Sequence, residues 1–276
     1  CRRARAVGCT ATTALRSIHN MASWMIDRFG NEEQRQKWLP KLTPMDLIAS
    51  YCLTEPSSGS DAASLKTKAV KDGDHYVLNG SKAFISGAGT SDIYVCMVRT
   101  GDAGAKGVSC LVVEKGTPGL SFGAPERKMG WKAQPTAQVQ LDACSVPAGA
   151  LLGEEGAGFK YAMAGLDGGR LNIAATALGG AQTCLNKALQ YMGERKAFGK
   201  TIDQFQALQF RLADMETELQ AARIFLRQAA WKVDQGAPDA SVHCAMAKRF
   251  VTDAAFKVAN DALQLHGGYG YLEDYG

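Results

Sequence analysis

The stretch Tyr51-Cys52-Leu53-Thr54-Glu55-Pro56-Ser57-Ser58-Gly59-Ser60-Asp61 stands where the sequence pattern changes from helices to strands. Residues 1–45, which precede it, show helical spacing, and Gly30-Asn31 followed by two glutamates indicates that one helix ends and another begins. Residues 46–150 instead contain short apolar runs divided by turn residues. After Pro147 only Pro238 remains, which permits long helices in the last part of the chain.

The middle region is predicted to consist of short strands. Residues 75–78, then Asn79-Gly80, then residues 81–86 predict a β-hairpin, because a tight type I′ turn needs positive φ at both central residues. Further strands are predicted at residues 92–98, 107–113 and 136–141. Many short strands without intervening helices indicate an antiparallel barrel or sandwich.

From about residue 155 onward the chain is predicted to be helical. Asp203 is a candidate cap for one helix, and Gly236 with Pro238 would end it. Its apolar stripe consists of Leu208, Leu212, Met215, Leu219, Ala222, Leu226, Ala229 and Val233. The stripe of the next helix, which would stop at Gly267-Gly268, consists of Met246, Phe250, Ala254, Val258 and Ala262. Stripes of this kind indicate the core of a helix bundle.

The predicted fold class is therefore α+β, in three parts. Residues 1–45 would be the end of an N-terminal helical domain, 46–152 a central antiparallel β-barrel domain, and 153–276 a helix bundle. Both ends of the chain are expected to be truncated, because it begins with Cys1 and stops at Gly276 without a clear end signal.

Composition narrows the possible classes of protein. Of the 276 residues 46% are apolar and 21% charged, and the net charge of +4 comes with no basic run typical of nucleic-acid or membrane binding. The eight cysteines form no Cys-x-x-Cys pair, which favours reduced core thiols, and the four histidines lack metal-site spacing. A soluble protein without a metal is predicted.

The hydroxyl-rich segment 51–61 has two interpretations. Small polar residues with Gly and Pro offer hydroxyls and backbone N–H groups that suit a flavin ring edge or a phosphate. Taken alone, the segment fits a solvent loop at least as well. No Gly-x-Gly-x-x-Gly occurs, and residues 193–201 have the wrong glycine spacing for a phosphate-binding P-loop, so neither of those nucleotide sites is predicted.

Other motifs are equally ambiguous one by one. Phe84-Ile85-Ser86 could cover a flavin and reach its N5, or could be ordinary core. Asp167-Gly168-Gly169-Arg170 lies early in a helix, where close approach of a ligand or a helix break would explain the glycines. Residues 194–199 place a cation at one helix end, and residues 264–270 place glycines at another. Taken alone, the cation could be a surface charge, and the glycines a plain C-cap, as readily as parts of a ligand site.

Together, in this order and at these separations, the motifs resemble the acyl-CoA dehydrogenase family over nearly the whole chain. Residues 17–21, 86–89, 113–123 and 167–170 resemble most the branch that acts on isobutyryl-CoA, in valine breakdown. The resemblance implies FAD-dependent α,β-dehydrogenation of a short branched acyl-CoA, with electrons passed to electron-transfer flavoprotein. It also implies a homo-oligomer, a dimer of dimers, in the mitochondrial matrix or the bacterial cytoplasm.

The resemblance also assigns residues to the cofactor and substrate. The isoalloxazine and its surroundings would be bound by Tyr51, Cys52, Leu53, Thr54, Ser58, Gly59, Ser60, Phe84, Ile85 and Ser86. The FAD of a neighbouring subunit would be bound by Arg195, Phe205, Gln206, Gln264, Leu265, His266, Gly267 and Gly268. The acyl-CoA would be bound by Ser60, Asp167, Gly168, Gly169 and Arg170. Ser57 departs from the glycine common in the family, without an expected loss of binding.

One catalytic group is missing from the pattern. Hydride transfer to a flavin requires a base that removes the poorly acidic α-proton, and a glutamate has that role in the family. It is expected beyond Gly276, because Gly169 stands at the earlier position that some relatives use, and Glu55, Glu194 and Glu273 have no support as bases. The chain itself is therefore expected to be inactive. An acyl-CoA oxidase, another short-chain dehydrogenase and an inactive flavin- or CoA-binding module remain alternatives.

Overall fold

The computed structural model describes residues 10–275, which divide into two units. Residues 10–169 form the first unit, and the described residues from Arg170 onward form the second. The three-part division at residues 45 and 152 remains a prediction.

The first unit begins with two helices, α1 (Thr10–Phe29) and α2 (Glu32–Leu42). The predicted restart at Gly30-Asn31 is confirmed, and a capping box produces it. The Asn31 side chain accepts a hydrogen bond from the Gln34 amide at 2.8 Å, and the Gln34 side chain accepts one from the Asn31 amide at 3.0 Å. These two bonds satisfy backbone donors that a helix start otherwise leaves unpaired.

The rest of the first unit is a seven-stranded sheet followed by the start of a long helix. Its strands are β1 (Ala49–Cys52), β2 (Lys68–Asp72), β3 (His75–Ser86), β4 (Ile93–Arg99), β5 (Val108–Glu114), β6 (Leu120–Phe122) and β7 (Thr136–Pro147). They lie in the order β1-β4-β2-β3-β7-β6, with β5 against β4. The sheet is mixed, because β1 and β2 run parallel to β4 while the hairpin pairs are antiparallel.

Strand β4 lies between two hydrophobic cores. Tyr94, Cys96 and Val98 belong to one core, whereas Ile93, Val95 and Met97 belong to the other. A strand that is buried on both faces has a continuous apolar sequence, and residues 93–98 have one.

The predicted turn at Asn79-Gly80 is wrong, because β3 runs straight through it. The strand pairing shifts there instead: Gly80 has φ +148°, and a Cβ at this position would lie 2.6 Å from Oγ1 of Thr67. The Asn79 side chain accepts a hydrogen bond from the Ala143 amide at 2.8 Å. Asn79-Gly80 therefore forms an irregularity in the pairing of β3 with β7. The turn of the β2–β3 hairpin is at Gly73, where φ is +56°.

The second unit contains most of α3 (Gly158–Glu194), then β8 (Lys196–Ala197), β9 (Lys200–Thr201), α4 (Gln206–Asp234) and α5 (Ala240–Leu265). Along α4 the predicted stripe is confirmed from Met215 to Ala229, with Val233 at the surface. Asp203 does not cap α4: it lies in the turn Ile202–Gln204, and α4 starts after Phe205 without a side-chain cap. A local bond from the Thr201 hydroxyl occupies the Asp203 carboxylate instead.

The stripe predicted for α5 is correct only at its C-terminal end. Ala254, Val258 and Ala262 are buried, but Met246 and Phe250 are 50% and 42% exposed. Cys244, Ala247 and Val251 occupy the buried face in their place. This part of the buried face includes the small residues alanine and cysteine, which a search for large apolar residues does not detect. Within residues 10–275, no helix has both the length and the apolar character that crossing a membrane requires.

Candidate functional site

The hydroxyl-rich loop and the end of β3 are neighbours in the first unit. The Ala83 amide donates a hydrogen bond to the Thr54 carbonyl at 2.8 Å. The Ser50 hydroxyl donates to the Ser86 carbonyl at 2.7 Å and lies 2.8 Å from the buried hydroxyl of Ser91. The structure thus brings together the two segments that the sequence assigns to one ring. We call residues 51–60 and 84–86 the wall.

Phe84 has the most unusual backbone of the wall. Its φ is +57°, in the left-handed region that bulky residues rarely adopt, and its side chain is 68% exposed. The pairing of β3 with β7 shifts between Lys82 and Ile85, so Phe84 sits in a β-bulge. A bulge re-aims a side chain, and here it holds an aromatic ring at the surface at a cost in backbone strain. Such strained positions cluster at functional sites.

The predicted cofactor residues of the wall divide into two groups. The side chains of Cys52, Leu53 and Ile85 are buried in the cores, so only their main chain could face a ligand. Ser58 is buried as well, and its hydroxyl donates to the Asp61 carbonyl at 2.6 Å. The residues with accessible atoms are Tyr51, Thr54, Gly59, Ser60, Phe84 and Ser86.

Tyr51 is the first residue of the wall and is half-buried. Its phenol donates to the Ala162 carbonyl at 3.3 Å, and burial, followed by the nearby Cys110 and Cys52 thiols, raises its pKa well above the usual range. The ring is therefore a neutral hydrogen-bond donor at every ordinary pH.

Glu55 of the wall belongs to a buried ion pair that the sequence did not reveal. Nζ of Lys82 lies 2.7 Å from Oε1 of Glu55, and the two side chains are 0% and 4% exposed. Burial disfavours the Glu55 carboxylate, but the charge of Lys82 and several hydrogen bonds outweigh this effect and lower its pKa. The partners are far apart in sequence, and a lysine within a strand resembles a solvent-facing residue, so no local signal identifies the pair.

The segment Asp167-Gly168-Gly169-Arg170 lies inside α3, which continues to Glu194 without a break. A helix break is therefore not the reason for the glycines. A Cβ at Gly169 would lie 3.2 Å from Sδ of Met21, and one at Gly165 would lie 3.0 Å from Sδ of Met25. These two glycines let α1 approach closely, whereas a Cβ at Gly168 would meet nothing within 4 Å.

The second unit has a cavity of about 370 Å³ that five of the predicted residues line. Those five are Arg195, Leu265, His266, Gly267 and Gly268. Tyr191 and Tyr269 are among its other lining residues: the Tyr191 ring stacks on His266 at 4.5 Å, and the Arg195 guanidinium lies 5.4 Å from the Tyr269 ring centroid. One cation among aromatic rings suits a ligand that combines negative charge with a flat ring. Neither tyrosine was among the predicted cofactor-binding residues, although Tyr269 lies within the segment 264–270.

Three predicted residues of the second unit do not line this cavity. Phe205 is half-buried, and Nζ of Lys200 lies 4.2 Å from its ring centroid. Gln206 begins α4, and Gln264 is exposed near the end of α5. The structure therefore does not gather the whole predicted set at one point.

None of the three glutamates considered from the sequence has the surroundings of a general base. Glu55 is held by Lys82, and Glu194 is an exposed acceptor for the Gln190 side chain at 3.1 Å. Glu273 is exposed in the last turn. Among residues 10–275 there is also no group of three His, Cys, Asp or Glu side chains that could hold a metal ion.

Comparison with known proteins identifies the family. Three domains of the acyl-CoA dehydrogenases match the chain: the N-terminal domain at residues 3–46, the middle domain at 50–144 and the C-terminal domain at 156–276. Mitochondrial isobutyryl-CoA dehydrogenase of Dictyostelium discoideum is 59% identical over 96% of this chain and 64% of that protein. The Bos taurus isobutyryl-CoA dehydrogenase is 57% identical over 99% of this chain and 65% of that protein.

A solved structure is also similar to this chain. Butyryl-CoA dehydrogenase from Megasphaera elsdenii superposes with a TM-score of 0.91 at 41% identity, over 96% of this chain and 68% of that one. This chain thus spans about two thirds of the length of the relatives it matches. Its motifs, its fold and its similarity along nearly the whole length agree, and the chain belongs to the acyl-CoA dehydrogenase family.

Proposed function

We propose that this chain is the flavin- and thioester-binding part of an FAD-dependent dehydrogenase that introduces an α,β double bond into a short branched acyl-CoA, with isobutyryl-CoA as the substrate. The observation that carries the proposal is the wall. An exposed aromatic ring in a strained bulge lies beside a hydroxyl-rich loop, and one backbone bond from Ala83 to Thr54 joins the two. The high identity to two isobutyryl-CoA dehydrogenases supports the choice of substrate.

The residues of the wall offer groups whose chemistry suits a flavin. Phe84 offers a flat apolar surface, Ser86 and Thr54 offer polar atoms next to it, and the open space around Gly59 permits close approach of a ligand to the main chain. Bound FAD would supply the hydride acceptor. The protein atoms of the wall would orient the ring and exclude water from one of its faces.

Substrate would be held by Ser60 and by the Asp167–Arg170 turn of α3. The exposed hydroxyl of Ser60 lies in the wall itself, so it could contact both the thioester and the flavin. Gly168 has no side chain, so a thioester ligand could approach the main chain more closely there than at a larger residue. Removal of the α-proton is assigned to a glutamate outside residues 1–276, as in the sequence-based prediction.

The second unit would serve a neighbouring subunit. We assign the Arg195–His266 cavity to the FAD of that subunit, together with Phe205, Gln206 and Gln264. Large apolar side chains are exposed on α4 and α5, such as Ile224, which is 66% exposed, and Phe256, which is 77% exposed. They support an oligomer, because large apolar areas on a protein surface often mark an interface. Electron-transfer flavoprotein would be the electron acceptor, and the mitochondrial matrix or the bacterial cytoplasm the compartment.

The proposal is tested by titrating the purified chain with FAD and then with isobutyryl-CoA. Flavin fluorescence should be quenched on binding, and isobutyryl-CoA should perturb the flavin spectrum more than n-octanoyl-CoA without bleaching it. Absence of FAD binding would contradict the proposal. Photoreduced flavin in this chain should react slowly with oxygen, and rapid reoxidation would instead support an oxidase.

A further inference from the structure

The buried pair of Glu55 and Lys82 has every charged atom engaged. Oε1 of Glu55 accepts from the Thr67 amide at 3.0 Å in addition to Lys82, and Oε2 accepts from the Lys66 amide at 2.6 Å. Nζ of Lys82 also donates to the Leu53 carbonyl at 3.2 Å. Two charges are expensive to bury, and these hydrogen bonds offset much of that cost.

The pair stands at the junction of the two segments of the wall. Glu55 follows Thr54 directly, and its backbone exchanges two hydrogen bonds with Ser58, at 2.9 and 3.1 Å, which close the turn around Pro56. Lys82 precedes the bulge directly, and the next amide, that of Ala83, donates to Thr54. The ion pair therefore connects the loop to the strand two residues before the exposed ring of Phe84.

Stability alone does not explain an ion pair at this place. Replacing a buried pair by apolar residues of similar volume is often neutral or stabilising, because the attraction barely offsets the loss of hydration. Directional bonds do something that apolar packing cannot: they fix the orientation of the Leu53 carbonyl and of the Lys66 and Thr67 amides.

We propose that Glu55 and Lys82 are positioning residues, whose ion pair sets the spacing between the hydroxyl-rich loop and Phe84 and so determines the affinity of the wall for the flavin. This inference rests on the proposed function. Neither residue touches the ligand; both act through the Thr54–Ala83 contact.

The test is the double variant Lys82→Met with Glu55→Gln, which removes both charges and leaves net charge unchanged. The single variant Lys82→Met would strand a buried carboxylate and unfold the first unit, so the double variant is the informative one. The double variant should unfold cooperatively, bind FAD at least tenfold more weakly, and exchange the Ala83 amide hydrogen at least tenfold faster. Exchange at Val112, which lies in the core that contains Val95 and Met97, should not change.

A matched control removes a different ion pair of the same unit. Lys37→Met with Glu114→Gln deletes a half-exposed pair with a separation of 2.6 Å, and it should leave FAD affinity and Ala83 exchange unchanged. Wild-type affinity for FAD in the Lys82/Glu55 double variant would overturn the positioning role. If the wild-type chain binds no FAD, the proposed function fails, and Ala83 exchange alone decides the positioning role: unchanged exchange overturns it.

Discussion

The Thr54 carbonyl and the Ala83 amide are 2.8 Å apart, and this bond helps to join two segments that the chain separates by a turn, a strand and most of another. It holds the hydroxyl-rich loop against the strand at the place where Phe84 is forced into the left-handed region. The strain at Phe84 and the contact at Thr54 are thus two properties of one local structure.

Substituting Phe84→Gly should separate stability from flavin binding. Glycine adopts φ +57° without strain, so the free energy of unfolding should rise or change little, by about 1 kcal/mol at most from this source. FAD affinity should fall at least tenfold, because the ring is lost. Urea unfolding and flavin fluorescence titration measure the two effects.

The control for Phe84→Gly is Ala143→Gly, at another residue with positive φ, +48°. It should relieve strain in the same way and leave FAD affinity unchanged. Equal affinity in both variants would show that the Phe84 ring does not contribute to binding.

Substituting Gly168→Ala should stabilise α3 but weaken the binding of acyl-CoA. Its Cβ would meet nothing within 4 Å, and alanine is favoured over glycine in a helix by about 0.5–1 kcal/mol. Gly180→Ala in the same helix, also with open space, is the control that should stabilise without an effect on ligand. Calorimetric titration with isobutyryl-CoA separates them, and equal binding by both variants would remove Gly168 from the substrate site.

Substituting Gly169→Glu should supply a general base at the earlier position that some relatives use. The flexible Met21 side chain, 3.2 Å from the new Cβ, must shift to admit it. Bleaching of bound flavin by isobutyryl-CoA should then become at least 100-fold faster than in the wild-type chain, in line with the usual contribution of general-base catalysis of about 10²–10⁴-fold. Gly169→Gln, which has the same shape and no basic carboxylate, should remain slow.

His19 should make the first unit sensitive to acid. It is 3% exposed, its Nε2 lies 2.9 Å from the Leu42 carbonyl, and its Nδ1 accepts from the Ala49 amide at 3.0 Å. Burial lowers its pKa below 6.5, with the Leu42 bond opposing, so the folded state binds the proton less readily than the unfolded state. The stabilising contribution is complete above pH 6.5 and is lost as pH falls towards the folded pKa, by up to about 1.4 kcal/mol per pH unit.

The measurement is urea unfolding of wild type and His19→Gln at pH 7.5 and pH 5. The difference between the two proteins cancels the titration of other groups. Wild type should lose more stability than the variant on acidification, and parallel losses would mean that His19 does not titrate differently in the folded state.

Local signals predicted those parts of the fold that local physics decides. The helix start at Asn31 depends on hydrogen bonds within its own first turn, and the buried face of α4 follows from the spacing of its apolar residues. Asn79-Gly80 was misassigned because positive φ suits a bulge as well as a turn, and the deciding neighbour, Thr67, is not adjacent in the sequence. Met246 and Phe250 were misassigned because spacing alone does not distinguish the two sides of an apolar helix.

The candidate site shows the same division. The hydroxyl-rich loop and Phe84 could be chosen from their sequence, but the bulge that exposes the ring depends on the pairing of β3 with β7. Lys82 could not be chosen, since its burial becomes visible only when Glu55 lies beside it.

Because β4 separates two cores, the protein carries its own reporters of how each core opens. Cys96 lies in one core and Cys110 in the other, and both thiols are free and fully buried. A thiol reagent can reach either sulfur only during an opening of its own core, so the two labelling rates time the two openings separately. Equal rates would mean that both cores open in a single event, and unequal rates would show which core opens first.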